Sequence, residues 1–191
     1  MAQKGPASQD AAEERRLASL YSFGILDTPA EEKFDRIVRM AARLFGSPIA
    51  LISLVDRNRQ WFKAAVGIDA KETPRAIAFC SHAVKQRDVF VVPDALADPR
   101  FADNPLVTGE PHIRFYAGAP LVSSEGEALG TVCLIDRQPW DDWPSYPKEM
   151  LKDYAATVME WLELERHNQL LMRENERLKS ELAARSGRPT Q

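Results

Sequence analysis

The sequence predicts an α+β fold, in which helices at both ends of the chain flank a central set of antiparallel strands. Two helical patterns precede the first long apolar run, which begins at Ile49. Residues 115–122 and 128–135 form two apolar segments separated only by Ser-Ser-Glu-Gly-Glu, a spacing typical of a β-hairpin. Residues 148–185 then contain no glycine or proline, which predicts one long helix.

The composition places the chain among globular proteins. Its 191 residues are 45% hydrophobic and 28% charged, with a net charge of −3, which suits one domain with a buried core. This balance offers no strong positive field to nucleic acid. The apolar run 49–55 is too short to span a bilayer, and residues 1–16 lack the apolar segment of a signal peptide. Two cysteines cannot form a disulfide framework, so we expect a cytoplasmic protein. The charge balance and the short apolar runs predict that it has no nucleic-acid or membrane partner.

Two helices are predicted before the first strand. Residues 1–10 are expected to be flexible, and residues 11–23 have the spacing of a charged helix. Thr28 is the expected N-cap of the second helix, and Glu31 completes a capping box. The apolar stripe of this helix comprises Phe34, Ile37, Val38, Ala41 and Phe45.

The strands are predicted from apolar runs that polar turns interrupt. Residues 49–55 are typical of a central strand covered on both faces, and residues 60–66 are expected to pair with it. Residues 76–86 have helical spacing, and residues 89–92 predict a short strand. In the last strand, alternation puts four side chains on one face: Leu129, Thr131, Cys133 and Ile135. Gly130 inside that strand marks a bulge or a close approach of backbone or ligand.

The irregular segment 95–113 contains three prolines and has no clean period. Loops of this length in compact domains are usually functional. One interpretation is a lid over the sheet, in which Arg114 and backbone groups meet a polar or anionic ligand. The other is a solvated loop whose aspartates form turns.

Catalytic motifs are missing from the sequence. It contains no GxxxxGK[ST], GxGxxG, HExxH, GxSxG or CxxC pattern, so we expect no enzymatic activity and no metal site. Cys80 and His82 have two interpretations: a nucleophile or ligand-attachment site, or a core cysteine near a histidine that faces a cavity or solvent. Side chains at i and i+2 of a helix point about 200° apart, which favours the second. Cys133 is likewise expected in the core rather than as a reactive thiol.

The long helix follows a heptad pattern. Its a positions are Tyr154, Trp161, Asn168, Asn175 and Leu182, and its d positions are Thr157, Leu164, Leu171 and Leu178. Asparagine at an a position favours a parallel two-stranded coiled coil. We therefore expect a homodimer whose interface comprises Trp161, Leu164, Asn168, Leu171, Asn175, Leu178 and Leu182. The alternative is a helix packed only on its own domain, followed by a frayed tail.

Several segments together resemble a known family. They are GILDTP, FDRIVRMAARLFGSPIALISLVDRNRQWFKAAVG, FCSHAV, VPDALADPRFADNPLV and RFYAGAPLVSSEGEALGTVCLIDRQP. Over residues 13–140 they resemble a GAF domain of the bacterial sensory type. The resemblance implies a GAF/PAS-like antiparallel sheet of five or six strands, with terminal helices on one face and a ligand cavity under loops on the other. The expected divisions are a flexible segment 1–10, a GAF domain 11–147, a signalling coiled-coil helix 148–185 and a flexible tail 186–191.

The resemblance also implies a small-molecule site on the loop side of the sheet. The candidate residues are Phe79, Cys80, His82, Asp94, Arg100, Phe101, Arg114, Phe115, Tyr116, Thr131 and Cys133. The cofactor and the ligand stay unassigned. The Asn-Lys-Phe-Asp-Glu type motif of cyclic-nucleotide-binding relatives is missing, and the segment Cys80-Ser81-His82 differs from the adjacent Cys-His pair of bilin-binding relatives.

The function implied is non-enzymatic sensing, with the last helix coupled to a histidine kinase, a diguanylate cyclase or another output module. No such module follows Gln191, so we expect a stand-alone GAF protein or part of a longer sensor. Two alternatives stay open. One is a dimerisation or scaffold module without a ligand. The other is a GAF-type free methionine sulfoxide reductase, which would need reactive, low-pKa thiols at Cys80 and Cys133.

Overall fold

A six-stranded antiparallel sheet forms the centre of the molecule, as seen in a computed structural model that describes residues 6–141, 143 and 145–186. The helices are α1 (Pro6–Ser22), α2 (Glu32–Phe45), α3 (Cys80–Ala83), α4 (Pro105–Thr108) and α5 (Ser145–Ser186). The strands are β1 (Ile49–Val55), β2 (Arg59–Val66), β3 (Glu72–Pro74), β4 (Phe90–Val92), β5 (Phe115–Val122) and β6 (Ala128–Asp136). The strand order is β3-β2-β1-β6-β5-β4. The predicted α+β fold with an antiparallel sheet is confirmed.

The sheet separates two apolar cores. On one face, α1, α2 and α5 pack against side chains such as Ile52, Leu54 and Val132. On the other face, α3, α4 and the connecting segments cover Leu51, Cys133 and their neighbours. Because β1 is central, all seven of its residues are buried, as its continuous apolar run predicts. The terminal helices therefore share one face, and the loops cover the other.

Helix α1 begins earlier than the sequence indicates. It starts at Pro6, so residues 6–10 of the segment expected to be flexible are helical, whereas residues 1–5 lie outside the described part of the chain. The expected tail 186–191 also lies outside it, apart from Ser186, the last residue of α5.

The capping box expected before α2 does not form. The helix begins at Glu32, and neither Thr28 nor Glu31 caps its backbone through a side chain. The Thr28 hydroxyl donates to the Ile25 carbonyl at 2.7 Å and accepts from Lys63 Nζ at 2.8 Å. The Glu31 carboxylate pairs with the same ammonium group at 2.5 Å. The side chains of Thr28 and Glu31 therefore bind the buried Lys63 instead of capping α2.

A β-bulge explains how Lys63 reaches α2. Ile52 pairs with Ala64, and Ser53 pairs with Phe62, so Lys63 is the extra residue of β2. Bulges re-aim side chains, and this one points the lysine at the segment before α2. A second register shift, between Leu121 and Val122 of β5, leaves Leu129 as the extra residue of β6. The expectation that Leu129 shares a face with Cys133 is therefore wrong, and Leu129 packs in the helix-side core.

Two further segments differ from their predictions. The expected helix over residues 76–86 is broken into a 3₁₀ turn, Arg75–Ile77, and the four-residue α3. Strand β3 was not predicted, and the irregular segment 95–113 contains the short helix α4, which Asn104 caps. The close approach expected at Gly130 is present, since a Cβ there would lie 2.8 Å from the Ser53 carbonyl carbon of β1.

Helix α5 has a packed half and an exposed half. Leu151, Val158 and Leu162 are buried against the sheet and α2. Every residue of 167–184 is exposed, so this part of the helix, about 27 Å long, buries no side chain against the domain. No helix of the described residues is both long and apolar enough to cross a membrane.

Candidate functional site

A cavity of about 360 Å³ lies on the loop-covered face of the sheet. Its floor is formed by β1, β2, β5 and β6, and its walls by segments 67–73 and 106–113 together with the start of α3. Apolar side chains dominate the lining: Ile49, Leu51, Phe62, Ile68, Phe79, Leu106, Ile113 and Ile135. A mostly apolar concave site of this size is typical of small-molecule binding.

Two polar side chains inside the cavity have oxygen atoms without hydrogen-bond partners among the described residues. They are Gln60 Oε1 and Thr73 Oγ1, and both atoms are buried. The two residues face each other directly across the β2–β3 pair. A buried acceptor without a donor costs about 1–3 kcal/mol. The wall of the cavity therefore contains two neighbouring polar residues, each with a buried oxygen whose hydrogen-bonding capacity the described residues leave unused.

Charged residues lie at the edge of the cavity. Asp69, Glu110 and Arg137 all line it, and Arg137 Nε also donates to the Pro111 carbonyl at 3.0 Å. This bond fixes the segment 106–113 to the end of β6. At its other end, Asn104 Nδ2 donates to the Ile77 carbonyl at 2.9 Å and thereby attaches α4 to the segment before α3. The wall is thus held at both ends by side-chain hydrogen bonds.

Three predicted site residues converge on the sulfur atom of a fourth, Cys80. Cys80 Sγ accepts hydrogen bonds from the Tyr116 hydroxyl at 3.2 Å and the Thr131 hydroxyl at 3.1 Å. Cys133 Sγ lies 3.9 Å from Cys80 Sγ. Cys80 begins α3, whereas the other three residues project from β5 and β6, so the short helix is seated directly on the sheet. Of this group, Cys80 and Tyr116 line the cavity.

The two thiols have different acidities. Burial disfavours the thiolate of Cys80, but hydrogen bonds from Cys133, Thr131 and Tyr116 outweigh it and lower the pKa of Cys80 from 9.0 to about 7. Burial raises the pKa of Cys133 well above its ordinary value, and the neighbouring Cys80 thiolate raises it further. Cys80 is therefore the more acidic thiol of the pair.

A cluster of aromatic side chains fills the sheet face beside the cavity. Phe79 stacks on Phe101 with ring centroids 4.1 Å apart, and His82 meets the edge of Phe101 at 4.9 Å. The Arg100 guanidinium lies 5.0 Å from the centre of the Phe90 ring. Burial lowers the pKa of His82, and the nearby Lys85 and Arg100 charges lower it further. His82, Arg100 and Phe101 thus close one side of the site without lining the cavity.

The remaining predicted residues lie elsewhere. Asp94 and Arg114 form a two-point ion pair with both distances at 2.7 Å, so the guanidinium expected to meet an anionic ligand is already paired. Hydrogen bonds from Arg114 lower the pKa of Asp94. Phe115 points to the opposite face of the sheet, where it stacks on Trp140 at 4.3 Å. Strand alternation gives the reason, because Phe115 and Tyr116 are neighbours in β5.

The polar residues of the cavity are not among the site residues predicted from the sequence. Gln60 carried a usable signal, because it shares a strand face with Phe62 in a segment that is otherwise apolar on that side. Thr73 carried none, since its strand has no apolar residues. Among the described residues, no group of three or more His, Cys, Asp or Glu side chains is placed to hold a metal ion.

The predicted dimerisation residues lie along α5. Trp161 packs edge-on against Phe34 of α2 at 6.0 Å, so its ring is engaged within the chain. Leu164, Leu171 and Leu178 are about half exposed. Asn168, Asn175 and Leu182 are also exposed.

Comparisons with known proteins agree with this architecture. A cyclic di-GMP phosphodiesterase of Pseudomonas aeruginosa is 48% identical over 147 residues, which make up 77% of this chain and 25% of that protein. The chain therefore spans about a quarter of the length of this relative.

Solved structures share the fold at low sequence identity. The GAF domain of an Acinetobacter phosphoenolpyruvate-protein phosphotransferase has a TM-score of 0.59 at 15% identity, covering 84% of this chain and 95% of that one. The blue-light absorbing form of the Thermosynechococcus elongatus PixJ GAF domain has a TM-score of 0.59 at 13% identity, covering 89% of this chain and 96% of that one. A free methionine-R-sulfoxide reductase from Neisseria meningitidis has a TM-score of 0.59 at 15% identity, covering 88% of this chain and 96% of that one. The GAF domain profile matches residues 29–160, which are most of the sequence, and the chain therefore belongs to the GAF domain family.

Proposed function

We propose that this chain is a non-enzymatic regulatory GAF module that binds a small molecule in the cavity and transmits binding through a dimeric α5. The observation that carries the proposal is the cavity of about 360 Å³ with the buried, unpartnered oxygens of Gln60 and Thr73. Leaving two such groups buried destabilises the fold, and a ligand that donates hydrogen bonds to them recovers that free energy. This arrangement also favours ligand binding over a scaffold with a filled pocket.

The sheet offers a route from the cavity to α5. Ile49 and Leu51 of β1 line the cavity, while Ile52 of the same strand packs in the helix-side core. Phe34 of that core contacts Trp161 of α5, and Lys33 of α2 pairs with Glu165. A ligand shifts α5 only if it binds one arrangement of this packing more tightly than another.

The exposed half of α5 supports the proposed dimer. Leu164, Leu171 and Leu178 repeat every seven residues among charged neighbours and are about half exposed. Apolar side chains at this spacing are buried when two helices wrap around each other. Asn168 and Asn175 at the alternate positions favour a parallel pair, in which both α5 helices leave their domains in the same direction.

The output of the module is proposed from its relative. The 48% identity to a cyclic di-GMP phosphodiesterase supports a role in cyclic di-GMP signalling, with α5 leading to a turnover module in the same chain or in a partner. A histidine kinase or a diguanylate cyclase attached in the same way would receive the same movement.

Paired substitutions in the cavity test ligand binding. Gln60→Leu and Thr73→Val keep the side-chain shape and remove the unpartnered oxygens, so each variant should be as stable as the wild type or more stable. Compounds that raise the wild-type Tm in a small-molecule screen should lose their effect on both variants. Leu96→Ala, an exposed position outside the cavity, is the matched control and should keep it. Compounds that raise the Tm of the wild type, both cavity variants and the control equally would contradict binding at this site.

Crosslinking between two α5 helices tests whether binding in the cavity is transmitted to the dimer interface. Leu178→Cys places a thiol in the proposed dimer interface, and a short bismaleimide should join two chains of this variant but not of the wild type, whose thiols are buried. A compound identified by the Tm screen should change the crosslinking rate at saturation. An unchanged rate would separate ligand binding from signalling and contradict the transmission step.

A further inference from the structure

The pair Cys80 and Cys133 is a chemical feature that ligand sensing does not use. We infer that this pair is a redox site, at which a small hydroperoxide entering the cavity oxidises Cys80 and Cys133 then closes an intramolecular disulfide. The inference rests on the distance between the two sulfur atoms, their different positions relative to the cavity and the donors around Cys80.

The two sulfur atoms are close enough to join after a small movement. They lie 3.9 Å apart, and a disulfide requires about 2.05 Å. Cys133 is held in the middle of the sheet, paired with Leu51 of β1 and Gly118 of β5. Cys80 begins α3, a helix of only four residues with irregular segments on both sides. The approach of about 2 Å is therefore made by α3, while the sheet stays in place.

The two thiols differ in their position relative to the cavity. Both are buried, but Cys80 is one of the residues that line the cavity, whereas Cys133 is not among the lining residues that the structure describes. A small oxidant in the cavity therefore meets Cys80 first. The cavity volume of about 360 Å³ admits hydrogen peroxide or a small organic hydroperoxide, and the apolar lining suits the organic group of the latter.

The donors around Cys80 favour this reaction. The hydroxyls of Tyr116 and Thr131 both donate to Cys80 Sγ and stabilise its thiolate, which is the nucleophilic form of cysteine. Tyr116 also lines the cavity, so one of the two donors to Cys80 Sγ belongs to the wall that an entering hydroperoxide meets.

The reaction balances in two steps. The Cys80 thiolate attacks the outer oxygen of ROOH, the O–O bond breaks, and Cys80 becomes a sulfenic acid as ROH leaves with one proton. The Cys133 sulfur then attacks Cys80 Sγ, the S–O bond breaks, and water leaves as the disulfide forms. Overall, two thiols and one ROOH give one disulfide, one ROH and one water. The disulfide pulls α3 toward β6 and thereby changes the wall of the cavity.

Peptide mass analysis tests the inference on the full chain. The reduced protein is treated with one and then several equivalents of hydrogen peroxide at neutral pH, denatured in N-ethylmaleimide and digested with trypsin. Cleavage at Arg75, Lys85, Arg114 and Arg137 places the two cysteines on separate peptides, 76–85 and 115–137. The expected product is these two peptides joined within one chain, lighter by two hydrogen atoms and without maleimide. Two alkylated thiols, under conditions that oxidise free glutathione, would overturn the inference.

Single variants test the order of the steps. In Cys133→Ser, the expected product is a sulfenic acid on Cys80 that dimedone traps. In Cys80→Ser, Cys133 should stay reduced under the same treatment. If Cys133 of Cys80→Ser is oxidised as fast as the wild-type pair, the assignment of Cys80 as the attacked thiol is wrong. Because the wild-type disulfide is measured directly, the inference stays testable even if a variant fails to fold.

A pair of tryptophan substitutions tests access through the cavity. Leu106→Trp narrows the lining, whereas Leu96→Trp adds the same bulk at an exposed position outside it. Disulfide formation with a bulky organic hydroperoxide should be lost in Leu106→Trp and retained in Leu96→Trp. Equal rates in both variants would show that the oxidant does not pass through the cavity and would contradict that part of the inference.

Discussion

The ring of Tyr116 lies over Gly118, two residues further along β5. A Cβ on Gly118 would sit within the contact radius of the Tyr116 hydroxyl and 2.8 Å from its Cζ. Only a residue without a side chain leaves room for the ring, which reaches past it to place the hydroxyl 3.2 Å from Cys80 Sγ. One glycine in the sheet therefore fixes the position of a hydrogen-bond donor to the reactive sulfur.

Gly118→Ala should displace the Tyr116 ring and destabilise the domain. Overpacking of a buried site of this kind costs about 1–3 kcal/mol, which urea unfolding would measure. The double variant Gly118→Ala with Tyr116→Phe removes the atom nearest to the new methyl group. It should therefore lose less stability than the sum of the single variants. A strictly additive result would show that the ring is not the group that Gly118 accommodates.

The ion pair between Lys63 and Glu31 should make stability depend on acidity. The Lys63 side chain is only 1% exposed, and Glu31 lies 2.5 Å from its Nζ. Burial alone would raise the pKa of Glu31, but hydrogen bonds and charges of Lys63 and Lys33 lower it below its ordinary value of 4.5. The stabilisation by this carboxylate is therefore complete above pH 4.5 and is lost as the pH falls through the lower, folded-state pKa.

Glu31→Gln should cost about 1–2 kcal/mol at neutral pH, and the difference from the wild type should shrink in acid. Urea midpoints measured at a series of pH values would show it. Glu160→Gln, at an exposed position of α5, is the control for loss of one negative charge. A Glu31→Gln deficit that stays constant down to strongly acidic pH would contradict the pairing.

The main strands and helices were predictable because their signals are local. A pattern within one continuous segment predicts each of them: the apolar run of β1, the hairpin of β5 and β6, and the uninterrupted helix α5. The misplaced features depend on distant partners. Thr28 and Glu31 have the spacing of a capping box, but a buried Lys63 from β2 binds both, and the bulge that directs this lysine has no sequence signature.

The cavity was harder to predict than the fold for a similar reason. Strand β3 contains Glu72, Thr73 and Pro74, with no aliphatic or aromatic residue to mark it, and only its pairing with β2 makes it a strand. Without β3, nothing places Thr73 opposite Gln60. The cysteines were identified as candidates from the sequence, but the 3.9 Å between their sulfur atoms arises from packing of α3 on β6.

Tyr116→Phe and Thr131→Val should each raise the pKa of Cys80 above its value of about 7, because each removes a donor to the thiolate. The ultraviolet absorbance of the thiolate, followed against pH, measures this change. A pKa that stays near 7 in both variants would assign the stabilisation to other groups.

The same thiol should contribute to the stability of the wild type in mildly alkaline solution. The folded-state pKa of about 7 lies below the ordinary value of 9.0, so this contribution grows as the pH rises from 7 to 9. Cys80→Ser should lack it. The unfolding free energies of the two proteins should therefore diverge over this interval, and parallel curves would contradict the assignment.

The exposed half of α5 allows a matched test of the proposed dimer. Leu170 and Leu171 are adjacent leucines with exposed fractions of 55% and 49%, and only Leu171 occupies a d position of the heptad. Leu171→Glu puts like charges face to face in a parallel coiled coil, whereas Leu170→Glu adds the same charge on its outer surface. Light scattering at micromolar concentrations should therefore find a monomer for Leu171→Glu and a dimer for Leu170→Glu and the wild type. Because residues 167–184 are all exposed, neither substitution should change the stability of the sheet and its cavity. Identical masses for the two variants would show that the leucines at d do not form the interface.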